Sequence, residues 1–230
     1  MAQTLSEVRD AIIHCEACPR LRRYCERIGR EKRAAYRTET YWAKPVPGFG
    51  DPRARVLVLG LAPAAHGANR TGRNFTGDGR GGSGDFLMAA MHAYGFASIP
   101  TSQSADDGLV LTNAWIMAAV RCAPPDNTPT PAEIARCAPH MTAELGALPE
   151  LRVFVVLGRI AFDAALRYFA ARGWRAPKKP LFEHGAVIRI PGAPVLVCAY
   201  HPSRQNTHTG RLTPAMLRDV FRKARTLAAI

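Results

Sequence analysis

The chain has 230 residues, 47 % hydrophobic and 21 % charged, a balance that excludes a disordered or fibrous segment and favours one compact domain over residues 1–230 with a real core. Lys and Arg number 31 against 18 acidic residues, a net charge of +13 that points to a polyanionic partner, nucleic acid being the usual one. No apolar run is long enough to span a membrane, and the start Met1–Asp10 lacks the basic-then-apolar pattern of a signal peptide, so a cytoplasmic location is expected.

In chain order, residues 5–15 predict a short helix, and residues 16–50 read as basic and irregular, with eight Arg or Lys between Arg20 and Arg37. Residues 54–61 (Ala-Arg-Val-Leu-Val-Leu-Gly-Leu) read as a buried strand between Pro52 and Pro63. A helix follows over 84–95, an apolar strand region over 109–121, and a helix over 131–147 that opens with Pro131 after Thr130. Residues 152–157 are a third strand, 160–172 a helix, and 194–200 a fourth strand beside a short edge strand at 187–190. The last helix runs from about Thr213 to Ala228. Strands apolar on both faces, alternating with helices, imply an α/β three-layer sandwich around a four-stranded, mainly parallel sheet.

Ligands in such folds bind at the carboxyl ends of the strands, and the unusual residues lie there. A glycine-rich loop (Ala62–Asp78) follows the first strand, Cys122–Asn127 the second and His201–Gly210 the fourth. The first loop is no P-loop, because Gly-Lys-Ser/Thr is absent, and its Gly77, Gly79 and Gly82 lie too far past the strand for a dinucleotide fingerprint. Phe75 could stack on a base or pack into the core. Asp78 could be a general base, a charge opposite a developing cation, or a helix cap. His201 suits a positioned donor or acid–base group, or a structural histidine.

Cys15 and Cys18 have the two-residue spacing that lets one turn present two thiolates, and Cys122 and Cys137 could complete a set of four. Four thiolates suit zinc or an iron–sulphur cluster, and spacing does not separate them. Cys198 falls in a strand and reads as core; Cys25 has no assigned role.

Val46–Pro52, Gly60-Leu61-Ala62-Pro63-Ala64, Phe75-Thr76-Gly77-Asp78, Val120–Pro125 and His201–Asn206, in that order, resemble the uracil-DNA glycosylase superfamily, and within it family 5, also called type B. The resemblance implies a structural 4Fe–4S cluster on Cys15, Cys18, Cys122 and Cys137. It implies Asp78 and His201 as catalytic groups, with Ala62, Ala64, Phe75, Asn127, Arg204 and Asn206 on the base or the DNA. Other families carry Asp, Asn or Glu in the loop after the first strand, where this chain has Ala62-Pro63-Ala64, and an asparagine where it has Ala118. Family 5 shares both gaps and accepts a wider range of deaminated bases. Asn113 competes with Asn127 for the base edge. The implied enzyme is a monomer acting on single- and double-stranded DNA that contains uracil, hypoxanthine or xanthine. Phosphate contacts are expected from the Arg20–Arg37 run, Arg204 and Arg211. A zinc base deaminase would need H-x-E and P-C-x-x-C, which are absent. A non-catalytic iron–sulphur protein that binds nucleic acid is the remaining alternative.

Overall fold

A computed structural model describes residues 3–230. Met1 and Ala2, part of the stretch read as a leaderless start, lie outside the described residues. The elements are α1 (Leu5–Ile13), α2 (Pro19–Glu31), β1 (Phe49–Gly50), β2 (Val56–Gly60), α3 (Ala68–Thr71), α4 (Ser83–His92), β3 (Ala114–Ala118), α5 (Pro131–Gly146), β4 (Val153–Leu157), α6 (Arg159–Ala171), β5 (Val187–Ile188), β6 (Val195–Ala199), α7 (Arg204–His208) and α8 (Pro214–Ala228). Among them, no helix is long and apolar enough to cross a membrane.

The sheet order is β1-β3-β2-β4-β6-β5. The four inner strands are parallel, as the double-sided apolar runs predict, and two-residue antiparallel strands close both edges. Successive residues of β2 supply opposite layers: Val56 and Val58 pack with Leu87, Met88 and Val220, whereas Leu57 and Leu59 pack with Met141, Phe162 and Phe169. Helices therefore cover both faces, α4 and α8 on one and α5 and α6 on the other. The chain leaves β2 toward β3 but β4 toward β6, so a switch point lies at the carboxyl ends of β2 and β4.

The helix α2 corrects the reading of 16–50 as irregular. Pro19 opens it at the first turn, where its missing N–H costs nothing. Leu21 and Cys25, four apart, bury one stripe. The arginines that looked like loop residues are partly structural. Arg22 is buried, donating to the Ala43 carbonyl (3.0 Å), Glu16 (3.1 Å) and Glu26 (3.2 Å), and Arg27 pairs with Glu31. Elsewhere the boundaries shift by a few residues, most in the region 109–121, of which only Ala114–Ala118 is strand.

One charge pair is buried in the core. Arg121, just past β3, places Nη2 2.5 Å from Glu144 Oε2 on α5, both almost without solvent contact. Trp115 Nε1 donates to the other Glu144 oxygen (2.9 Å). Gly48 passes so close that a Cβ there would overlap both the carboxylate and the indole. Removing one partner strands a buried charge. Glu144→Ala should cost about 3–5 kcal/mol, whereas the apolar double change Arg121→Met/Glu144→Leu should cost less, about 1–3 kcal/mol, because it strands no charge and leaves only the Trp115 indole N–H without its acceptor. Chemical denaturation checks this, and an unchanged midpoint for Glu144→Ala would show the pair to be energetically idle.

Candidate active site

Three loops from the carboxyl ends of β2, β3 and β6 converge on a cleft of about 710 Å³. It gathers Ala62, Ala64, Phe75, Asp78, Asn127, His201 and Arg204. Asn206 is the exception: it opens instead on a neighbouring cleft of about 350 Å³, on the other side of His201 and alongside Arg211. Its Nδ2 donates to the His201 carbonyl (2.8 Å), so it props the backbone that carries the imidazole.

The glycines of the first loop have steric reasons. Gly60 ends β2 under the Phe75 ring, where a Cβ would come within 2.9 Å of two ring carbons. A Cβ on Gly67 would overlap the Asp78 carboxylate. Phe75 itself has φ 51°, the left-handed region that strains a side-chain-bearing residue. Its ring packs partly on the core and lies 5.8 Å from the His201 ring, tilted by 32°. Phe75 thus packs on the core with one side and lines the cleft with another.

Arg70 was not anticipated from the sequence, and it organises this loop. Buried, it donates to the carbonyls of His66 (2.9 Å) and Gly77 (2.7 Å), pairs with Glu39, and stacks on Tyr36 at 3.9 Å. Arg204 ties the third loop to the first by donating to the Asp78 carbonyl (3.2 Å). The N-cap of α4 is Gly82, so Asp78 is not its capping residue; Asp85 binds the loop amides of Gly81 and Ser102.

Asp78 and His201 are shifted in opposite directions. Burial drives the Asp78 carboxyl up to about 6, against the pull of Arg204 and Arg70, with Asp85 adding to the rise. Burial drives the His201 imidazole down to about 4. At neutral pH the cleft therefore holds a carboxylate beside a neutral imidazole.

Asn127 sits exposed in the turn 125–127, where it and Asp126 both have positive φ, 54° and 53°. Asn113, the competing candidate, immediately precedes β3 at the opposite end of the sheet, its backbone N–H donating to Asp51 (2.8 Å), and is not among the residues lining the cleft. Ala118 is buried at the cleft end of β3.

Cys15, Cys18, Cys122 and Cys137 line one small cavity between α2, the end of β3 and α5. Among the described residues, no three His, Cys, Asp or Glu side chains converge to hold a single metal ion. Burial raises the Cys18 thiol and raises Cys137 to about 11. Cys122 is raised by its hydrogen bond with Cys25 and by burial. Cys25, buried beside the set, donates to the Ala123 carbonyl (3.6 Å). Cys198 is core, as its strand position implies. A side-chain titration by nuclear magnetic resonance should place Asp78 near 6 and find His201 neutral down to about pH 5; ordinary values for both would remove the electrostatic distinction of this cleft.

A family model described as the uracil DNA glycosylase superfamily matches residues 47–225. A type-5 uracil-DNA glycosylase of Thermus thermophilus is 52 % identical over 216 residues, 94 % of each chain. One of Mycobacterium tuberculosis is 49 % identical over 230 residues, 100 % of this chain and 84 % of its own. One of Pyrobaculum aerophilum is 42 % identical over 213 residues, 93 % and 88 % of the two chains. With the model match and full-length relatives agreeing, the chain belongs to the uracil-DNA glycosylase superfamily, among its type-5 members.

Proposed function

We propose that the protein is a DNA-repair glycosylase that hydrolyses the N-glycosidic bond of uracil, and of other deaminated bases such as hypoxanthine and xanthine, in single- and double-stranded DNA. The reading has residues 1–230 act as one domain and a monomer in the cytoplasm. The observation that carries it is the pairing of Asp78 and His201, set by loops from different strands and shifted oppositely in pKa, in one cleft.

The nucleotide leaves the stack, at a cost of a few kcal/mol that is lower at a mismatch, and enters the cleft. Phe75 stacks on the base and Asn127 bonds its edge. Ala62 and Ala64 leave room for a purine. As the bond from the base nitrogen to the sugar carbon breaks, its electron pair goes to the base. His201 donates an N–H to the base carbonyl oxygen that gains charge, and its low pKa keeps it a neutral donor that does not protonate outright. The Asp78 carboxylate opposes the sugar cation. Its pKa near 6 suits it to take the proton of the water whose oxygen bonds to that carbon. The product is an abasic site and the free base. Arg204 and the exposed arginines Arg23, Arg30 and Arg33 supply the positive rim for phosphates.

Uracil- and hypoxanthine-containing duplexes, incubated and then treated with alkali, test this. Both should be cut at abasic sites. His201→Ala and Asp78→Asn should each lower the single-turnover rate by about 10²–10³-fold while leaving DNA binding intact. The parent rate should rise with pH through about 6 as Asp78 ionises. Parent-like rates for both variants would place the chemistry elsewhere. No cutting of any substrate by the parent, with binding retained, would favour a non-catalytic nucleic-acid-binding protein.

We also propose that Cys15, Cys18, Cys122 and Cys137 hold a 4Fe–4S cluster. The fit is chemical: the four cysteines line one cavity, and the buried thiols of Cys18, Cys122 and Cys137 resist ionising without a cationic centre. Four thiolates suit a cluster or one zinc, and the resemblance to family 5 favours the cluster. Bound, it would be structural and lies outside the reacting cleft. Purified protein should be brown and contain about four irons per chain; one zinc and no iron would overturn the assignment.

A further inference from the structure

Asp126 and Asn127 are consecutive left-handed residues, a conformation that Asp and Asn adopt more readily than other side-chain-bearing residues but that two in a row hold only with support from their surroundings. Local bonds close it: Asn127 N donates to the Pro124 carbonyl (3.3 Å) and Thr128 N to that of Pro125 (2.9 Å). From outside, Arg20 reaches it. The guanidinium donates to the Thr128 carbonyl (3.3 Å) and grips both oxygens of Glu133, at 2.8 and 2.7 Å. Glu133 Oε2 also accepts the Thr130 amide (2.8 Å), closing the first turn of α5. Arg20 lies two residues past Cys18, at the start of α2. A single side chain thus bridges the cysteine segment to both ends of the segment 128–133 that follows Asn127.

We propose that Arg20 is a positioning residue for the base pocket, which, by clamping Thr128 and Glu133, holds the left-handed turn that presents Asn127 to the base; this rests on Asn127 being a base contact. The clamp is a fork on a carboxylate, so lysine replaces it only in part. It also makes the order of the Cys15–Cys18 segment a condition for a formed pocket. Arg20, from sequence a phosphate contact, then acts from behind the pocket wall.

A double-mutant cycle on the full chain tests it, with Arg20→Ala, Asn127→Ala and the pair, read as single-turnover kcat/KM on a uracil duplex. Arg20→Ala should lower kcat/KM about tenfold, the scale of a charge-assisted hydrogen bond. Binding to undamaged duplex should be unchanged, and Arg20→Lys should recover part of the loss. In the Asn127→Ala background Arg20→Ala should cost less than about twofold, because its effect runs through Asn127. Equal losses in both backgrounds overturn the proposal while leaving the role of Asn127 standing. Parent-like activity of Asn127→Ala overturns the base-contact reading first, and the proposal with it. If Arg20→Ala does not fold, Glu133→Gln, which weakens the clamp at constant shape, takes its place in the same cycle.

Discussion

Each of the inner strands β2, β3, β4 and β6 presents apolar side chains to helices on both sides, which leaves a polar side chain no place within the sheet. Such a group must sit where a strand ends, and in a parallel sheet the four carboxyl ends fall on one edge. Asp78, Asn127 and His201 are far apart in the chain and share a cleft because of this. The same constraint governs the exception. Arg121, three residues past β3, is the charge drawn deepest, and it is tolerated because Glu144 meets it there, with Trp115 holding the other oxygen of that carboxylate.

The cleft works against the stability of the fold. A carboxyl raised in the folded state favours folding fully only below its unfolded value, near 4, and loses that contribution as pH rises through about 6. An imidazole depressed in the folded state does the reverse: its contribution is present above about 6.5 and lost as pH falls through about 4. Near neutrality His201 sits in its favoured state and Asp78 in its disfavoured one. The carboxylate is held charged in a poorly solvated site by Arg204 and Arg70, which other contacts have fixed, and the strained backbone of Phe75 belongs to the same compromise.

The regular part of this architecture was legible in the sequence, because period and length carry it: all four inner strands and the helices α4, α5, α6 and α8 fall where apolar runs and caps place them. The helix α2 was not, since its arginines outnumber its apolar residues and two of their partners, Glu16 and Glu133, lie outside the helix and are visible only in three dimensions. At the cleft, loop position and residue type picked out Asp78 and His201. Arg70 was missed because an arginine in a basic chain carries no local sign of burial, and the turn of Asn206 away from the main cleft, with its Nδ2 on the His201 carbonyl, is a side-chain direction that spacing within a short helix does not carry. Asn113 ranked below Asn127 because it falls earlier in the strand region, and the two do lie at opposite ends of β3, with only Asn127 of the pair lining the cleft.

The two edge strands have a bearing on how the molecule behaves in company. An exposed edge is a row of free amides and carbonyls onto which another chain can add a strand. Here β1 is two residues long, between Pro47 and Pro52, and β5 is two residues long, shortly before Pro191. Neither offers a run on which a foreign strand could settle into register, and proline nearby removes donors that would extend it. A sheet whose centre is among the most apolar stretches of the chain is therefore blunt at both rims, and like copies, each carrying +13, meet there with little to zip together.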